Sequence, residues 1–314
     1  MRTPIVMIAY NRPDIVRMTM RNVSLAEAVD ERDIIMYIDG PRNETDRNRQ
    51  NEIERIVSGY QKQLPRLKIV RREKNYGCRG NIVSAITEVI NRFGRTIVIE
   101  DDILISRTFL RYMDEALDFY EDDKRIWAIN AYQSPDLKIP KSYKYDVYLN
   151  RINMCWGWGT WADRWNAVDF DLTDWPEKRA DAAFLAKLEH ASSGLRHMIE
   201  SQYEGRLKTW DVQCSYHMVK NDFFCVEPKY QLSKNIGYVP GELAEHCHGD
   251  FPHITRQKYY NFRPKLEKFL VVENSIDRQF ADIPVSRNRV VRVWRKLLRG
   301  LDYLKPANMK PEEF

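Results

Sequence analysis

Thr96-Ile97-Val98-Ile99-Glu100-Asp101-Asp102 is an apolar run that ends abruptly in three carboxylates. Neighbouring acids repel one another and raise their own pKa values unless a cation or hydrogen-bond donors compensate. Hard divalent ions such as Mg²⁺ or Mn²⁺ prefer oxygen ligands and often use only one or two protein carboxylates, taking the rest from phosphate and water. A nucleotide diphosphate bridged to the protein through one Asp is a natural reading of this run. The competing reading is an acidic helix N-terminus, in which Asp101 and Asp102 complement the dipole of a helix starting near Ser106.

Five further groups of residues could act with these acids. Tyr10-Asn11-Arg12-Pro13 and Tyr37-Ile38-Asp39-Gly40 each follow an apolar run. Arg12 offers a donor fork and Asp39 an acceptor, suited to a base and ribose, although a helix cap at Asn11 and a plain turn at Asp39-Gly40 are equally open. Asn75-Tyr76-Gly77-Cys78-Arg79-Gly80-Asn81 has glycines that let backbone approach a ligand, or that simply close a loop on its own helix. Cys155-Trp156-Gly157-Trp158-Gly159-Thr160-Trp161 sets three tryptophans among glycines, which suits either the face of a sugar ring or core packing at a bend. Thr209-Trp210-Asp211 places a carboxylate where it could take a proton from an acceptor hydroxyl, or stand as an ordinary exposed helical Asp.

Those residues need a scaffold, and the first 135 residues supply one. Short apolar runs at 5–10, 34–39, 67–71, 96–100 and 127–131 alternate with amphipathic stretches, predicting βαβ units and a mostly parallel sheet flanked by helices. Pro13 suits the first turn of a helix running to about Ala28, and residues 81–93 carry Ile82, Ile86, Val89 and Ile90 at helical spacing. Beyond Pro135 come a Lys- and Tyr-rich connection, the Trp-Gly cluster, and a helical region over 180–219 broken at 192–194. A strand-like run at 223–226 then precedes a polar loop over 234–253. The reading is an α/β domain over 1–270, with a nucleotide-binding half (1–135) and an acceptor and catalytic half (136–270), followed by a basic helical tail (271–314).

With 314 residues, 43% hydrophobic and 12% aromatic, the chain can bury a sizeable core. Net charge is only +5, and basic residues are interspersed with acids almost everywhere, which argues against nucleic-acid binding. The exception lies between Arg287 and Arg299, where RNRVVRVWRKLLR holds six basic residues and no acid. Such a helix could lie on an anionic membrane or dock by its Val290, Val293, Leu297 and Leu298 face. Five scattered cysteines without a CxxC pair predict neither a disulfide framework nor a zinc ribbon, and no apolar run approaches the ~18 residues of a membrane span. A cytoplasmic setting, possible contact with the inner membrane face included, is the expectation. There is no GxGxxG and no Walker sequence, so dinucleotide and P-loop chemistry are unsupported.

Taken together and in this order, the motifs from Pro4 to His248 resemble the GT-A glycosyltransferases (nucleotide-diphospho-sugar transferases). The resemblance is specifically to the inverting N-acetylglucosaminyltransferase I type and its bacterial relatives. It implies a Rossmann-like GT-A fold and identifies Glu100-Asp101-Asp102 with the family's EDD form of the DXD motif. Asp102 would hold Mn²⁺ or Mg²⁺ on the diphosphate, and Glu100 and Asp101 would line the donor site. Arg12 and Asp39 match positions that contact the nucleobase, and Asn75 and Gly80 fall in the donor loop. Asn130-Ala131-Tyr132 resembles the strand that follows the EDD. Trp158 and Gly159 match a Gly-Trp segment near donor sugar and acceptor, and Trp210-Asp211 the pair that includes the catalytic base, Asp211. His246 and His248 lie in a loop that orders over the donor phosphates and could reach phosphate or metal. The implied partners are a UDP-sugar, with GlcNAc or a related hexose the first guess, and a glycan or glycolipid acceptor. Without the membrane anchor of the eukaryotic enzymes, a bacterial-type enzyme of surface polysaccharide synthesis is expected. The rivals are a sugar nucleotidyltransferase, whose GGxGTR-like stretch reads AYNRPD here, and a non-catalytic glycan-binding module.

Overall fold

Successive side chains of a strand point to opposite faces, so a strand that is apolar throughout needs a covering layer on both sides. β1 (Ile5–Ala9) and β2 (Ile34–Ile38) are buried along their whole length, whereas β3 (Leu67–Arg71), at the sheet's edge, is partly exposed. The intervening helices are α1 (Pro13–Val23), α2 (Glu44–Ser58) and α3 (Gly77–Phe93), and β4 (Arg95–Glu100) follows. Ile5, Met7 and Ala9 join one core with α1 and α2; Val6 and Ile8 join another with α3. This computed structural model describes residues 2–134, 136–237 and 258–282.

Four more strands complete the main sheet: β6 (Ile126–Asn130), β7 (Val147–Asn150), β8 (Trp158–Trp161) and β9 (Phe224–Pro228). The order is β3-β2-β1-β4-β8-β6-β9-β7, and a separate ribbon pairs β5 (Ile103–Ile105) with β10 (Ser233–Asn235). The first four strands are mutually parallel, as is β6 with β9. β8 runs antiparallel to both β4 and β6, and β7 antiparallel to β9. The chain winds outward from β1 to β3 and then returns to place β4 on β1's other side. That reversal opens a crevice beyond the carboxyl ends of β1 and β4, where ligands bind in sheets of this kind.

The second half adds α4 (Phe109–Phe119), the short α5 (Ala162–Trp165) and α6 (Trp175–Lys178), α7 (Ala182–Ala191), α8 (Leu195–Tyr203) and α9 (Asp211–Lys220). The fold is thus the expected mixed α/β sheet with helices on both faces. Details differ. α1 stops at Val23, because the next turn leaves the helix and Ala28 takes a left-handed φ of 59°. α3 begins four residues earlier than the apolar spacing suggested, at Gly77. The Trp-Gly cluster, read as a sugar-facing surface or as core packing at a bend, contains a sheet strand, β8.

The tail expected from residue 271 opens with α10 (Asn274–Asp282), which is docked on the main body. Ile276 and Phe280 pack with Leu137, Ile139 and Tyr148, while Asp277 accepts hydrogen bonds from Arg151 Nε (2.8 Å) and pairs with His190 Nε2 (2.8 Å). The stretch from Arg287 to Arg299 lies outside the described residues, as do His246 and His248. No helix among the described residues is long and apolar enough to cross a membrane.

Candidate active site

The strands deliver their terminal residues to one edge. Arg12 follows β1 and precedes α1, Asp39 follows β2, Asn75 precedes α3, and Glu100-Asp101-Asp102 terminates β4. A cleft of about 360 Å³ opens there, lined in part by Arg12, Asp39, Asn75, Asn81, Glu100 and Asp101.

Asp39 is 4% exposed. Its Oδ1 accepts from the backbone N–H groups of Gly40 and Tyr76 (both 2.8 Å), and Oδ2 accepts from Asn75 Nδ2 (3.0 Å). Burial raises its pKa, and those backbone donors oppose the rise. The carboxylate is therefore fixed in orientation at the cleft wall.

Arg12 is engaged by the acids. Its Nη2 donates to Asp101 Oδ1 and to Asp102 Oδ2 (3.1 Å), and its Nε to Asp101 Oδ2 (3.3 Å). Burial disfavours its charge, but the two aspartates outweigh that and raise its pKa. Glu100 is partly open to the cleft. Its pKa is pushed well up, by burial first, then by Asp102, Asp101 and Asp211, with Arg12 opposing. Asp211 therefore shares an electrostatic neighbourhood with the triple acid, although the two lie about a hundred residues apart in sequence. Burial followed by Asp211 and Glu100 likewise raises the Cys155 thiol.

Asp211 sits in the first turn of α9, partly exposed, where the helix dipole favours a negative charge. Thr209 Oγ1 donates to its Oδ1. Trp210 is 2% exposed and stacks on Trp158 at 5.4 Å, which in turn stacks on Trp127 at 5.6 Å. Trp158 is fully enclosed, so both tryptophans support the cleft from within the core and offer no ring face to a ligand. The indole N–H of Trp158 finds no partner among the described residues. Gly159 pairs with Ile97 inside the sheet, where a Cβ would lie 3.0 Å from Thr96 O; it serves strand packing. Gly80 lines a neighbouring groove, not the cleft.

The acids' side chains offer hard oxygen donors, and one guanidinium faces Asp101 and Asp102 at their tip, with Glu100 also close by. The backbone of Gly237 packs against this carboxylate, where a Cβ would lie 2.1 Å from Asp102 Oδ2. The carboxylate oxygens of Asp101 and Asp102 are of the type that could hold a divalent cation together with exogenous ligands. Among the described residues no group of three or more His, Cys, Asp or Glu is placed to hold a metal ion.

Several cleft residues escaped the sequence reading. Asp46, in the first turn of α2, accepts from Tyr10 OH, Asn11 Nδ2 (2.7 Å) and Arg42 Nε (3.1 Å); burial works against its charge, but these donors hold its pKa well below the usual range. It braces Tyr10 and Arg42, both of which line the cleft. The available signal was Asn43, three residues before Asp46, whose side chain caps α2. Asn81, 2% exposed on α3, also reaches the cleft.

No family model matches the sequence, and neither does any curated protein. Solved structures do resemble the fold. S. aureus TarS (residues 1–349) is 12% identical, with a TM-score of 0.43 over 76% of this chain and 61% of that one, so the chain spans about three fifths of its length. The mannosyltransferase PcManGT from Pyrobaculum calidifontis, solved with GDP-Man and Mn²⁺, is 11% identical with a TM-score of 0.41, covering 70% and 69%. The galactosyltransferase LgtC, solved with donor and acceptor sugar analogs, is 11% identical with a TM-score of 0.40, covering 71% and 73%. Substrates do not transfer at such distances.

Proposed function

We propose that the chain is a metal-dependent inverting glycosyltransferase, moving a sugar from a UDP-sugar onto a hydroxyl of a glycan acceptor. The observation that supports this reading is the docking of Asp211's helix on the strand of the acids: Trp210 stacks on Trp158, which pairs with Val98 two residues before Glu100.

In this reading Asp39 accepts a hydrogen bond from the nucleobase and Asn75 holds it in orientation. Mn²⁺ or Mg²⁺ at Asp102 supplies positive charge for the diphosphate. Asp211 takes the proton of the acceptor hydroxyl as its oxygen bonds to the anomeric carbon. The bond from that carbon to the diphosphate breaks on the opposite side, its electron pair leaves with UDP, and configuration inverts. UDP-GlcNAc is the first donor to try, by resemblance.

Titration calorimetry with UDP, with and without EDTA, tests the donor half. Asp102→Asn should lose the Mn²⁺-dependent part of the affinity. Asp211→Asn should bind UDP within about twofold of wild type while transfer falls by roughly 10²-fold or more. UDP binding that ignores EDTA, or unchanged transfer by the Asp211 variant, would refute the assignment.

A further inference from the structure

Gly77 and Cys78 line the nucleotide cleft and also a second, more open groove of about 900 Å³ between the start of α3 and residues 202–208. Its volume lies within the roughly 300–1,000 Å³ of small-molecule sites. Tyr76 at its rim is 41% exposed, and Val83, Phe170 and Leu207 are partly exposed along its walls, beside Gln202 and the exposed Lys208.

Three features select the occupant. Apolar surface here is interleaved with hydrogen-bonding groups, which suits a ring with one apolar face and a hydroxylated edge better than an alkyl chain. Two of the cations beside the groove are engaged, Arg79 with Asp171 (2.8 Å) and Arg72 with Glu88 (2.7 Å), while the exposed Lys208 stands at its edge as a donor for hydroxyls. Residues 202–208 also run directly into the proposed base. Gln202 Oε1 accepts from Thr209 N (2.9 Å), and Thr209 Oγ1 donates to Asp211.

We infer that this groove binds the saccharide acceptor, a pyranose face lying against Tyr76, Phe170 and Leu207 and hydroxyls turned toward Gln202 and Lys208. The inference rests on the transfer reading and adds to it the direction from which the acceptor arrives. It also gives Thr209 a positioning role, since the hydrogen bond that orients Asp211 is anchored to the groove's wall.

The test is ligand-observed NMR on the full chain with p-nitrophenyl glycosides of glucose, galactose, mannose and N-acetylglucosamine, alongside UDP titrations. Leu207→Asp and Lys208→Ala alter the groove and not the nucleotide cleft, and the exposed Lys208 guards against a misfolded Leu207 variant. At least one glycoside should bind wild type, and both variants should weaken it about fivefold or more while UDP affinity stays within about twofold. No glycoside binding, or variants within about twofold of wild type, overturns the inference while leaving the donor reading intact. Failure of wild type to bind UDP at all overturns the donor reading, and the acceptor role with it.

Discussion

At Asp102 the absence of one methyl group lets a backbone segment lie against the carboxylate. Gly237 passes so close that any β-carbon would press on Oδ2. Gly237→Ala should therefore lower Mn²⁺-dependent UDP affinity about tenfold or more, because the carboxylate must turn away, yet leave the melting temperature nearly unchanged. Equal metal-dependent affinity in the variant would show that Asp102 Oδ2 is not a ligand. The acids were legible because an apolar strand ending in three carboxylates is locally improbable without a charge partner. Arg12 was legible as a cleft residue, but its engagement with Asp101 and Asp102 depends on a contact across about ninety residues that no local pattern encodes. Asp46 was missed for the opposite reason: in sequence it is one acid of a charged helix start.

At the scale of elements, four tryptophans, Trp127, Trp158, Trp165 and Trp210, join β6, β8, α5 and the entrance of α9 into one buried aromatic stack. The sequence showed this cluster as sugar-facing rings or as packing at a bend; what it could not show is that β8 runs between β4 and β6, where both strand faces are covered. Rings enclosed in this way hold Asp211 in place through Trp210. Trp158→Ala should cost about 3–5 kcal/mol in urea denaturation, the range for large-to-small core changes. A loss under about 1 kcal/mol would contradict a core role. α2 illustrates the complementary blind spot, since its polar sequence has few apolar residues at helical spacing and depends on Asn43 and on packing to form.

Across the whole molecule, the βαβ half was readable from its periodicity, and so were the helices over 180–219 with their break at 192–194 and the strand near 223–226, while the antiparallel strands β7 and β8 were not. That part of the sheet is pinned by Glu227, fully buried on β9, which accepts from Tyr148 OH (2.6 Å), Asn150 Nδ2 (2.7 Å) and Asn130 Nδ2 (3.2 Å). Burial lifts its pKa from 4.5 to about 7 against those donors. The folded state thus keeps a proton that the unfolded chain has lost, so this residue's contribution to stability falls as pH rises from about 4.5 to about 7. The loss is at most about 3 kcal/mol. Glu227→Gln should flatten that slope in urea melts at pH 5 and pH 8; an unaltered slope would assign it to other groups.

Residues 258–282 touch both halves in turn. Tyr259 packs beside Ile15 and Leu104, Thr108 Oγ1 donates to Phe262 O (2.9 Å), Tyr120 OH to Glu267 O (2.8 Å), and α10 ends on the far side against α7. A chain cut at residue 270 would slacken this girdle at its buckle. Arg151 would lose Asp277, and Leu137, Ile139 and Tyr148 would lose the helix that shelters them. The helix that ends at Asp282 is therefore part of the folded body and not a detachable tail.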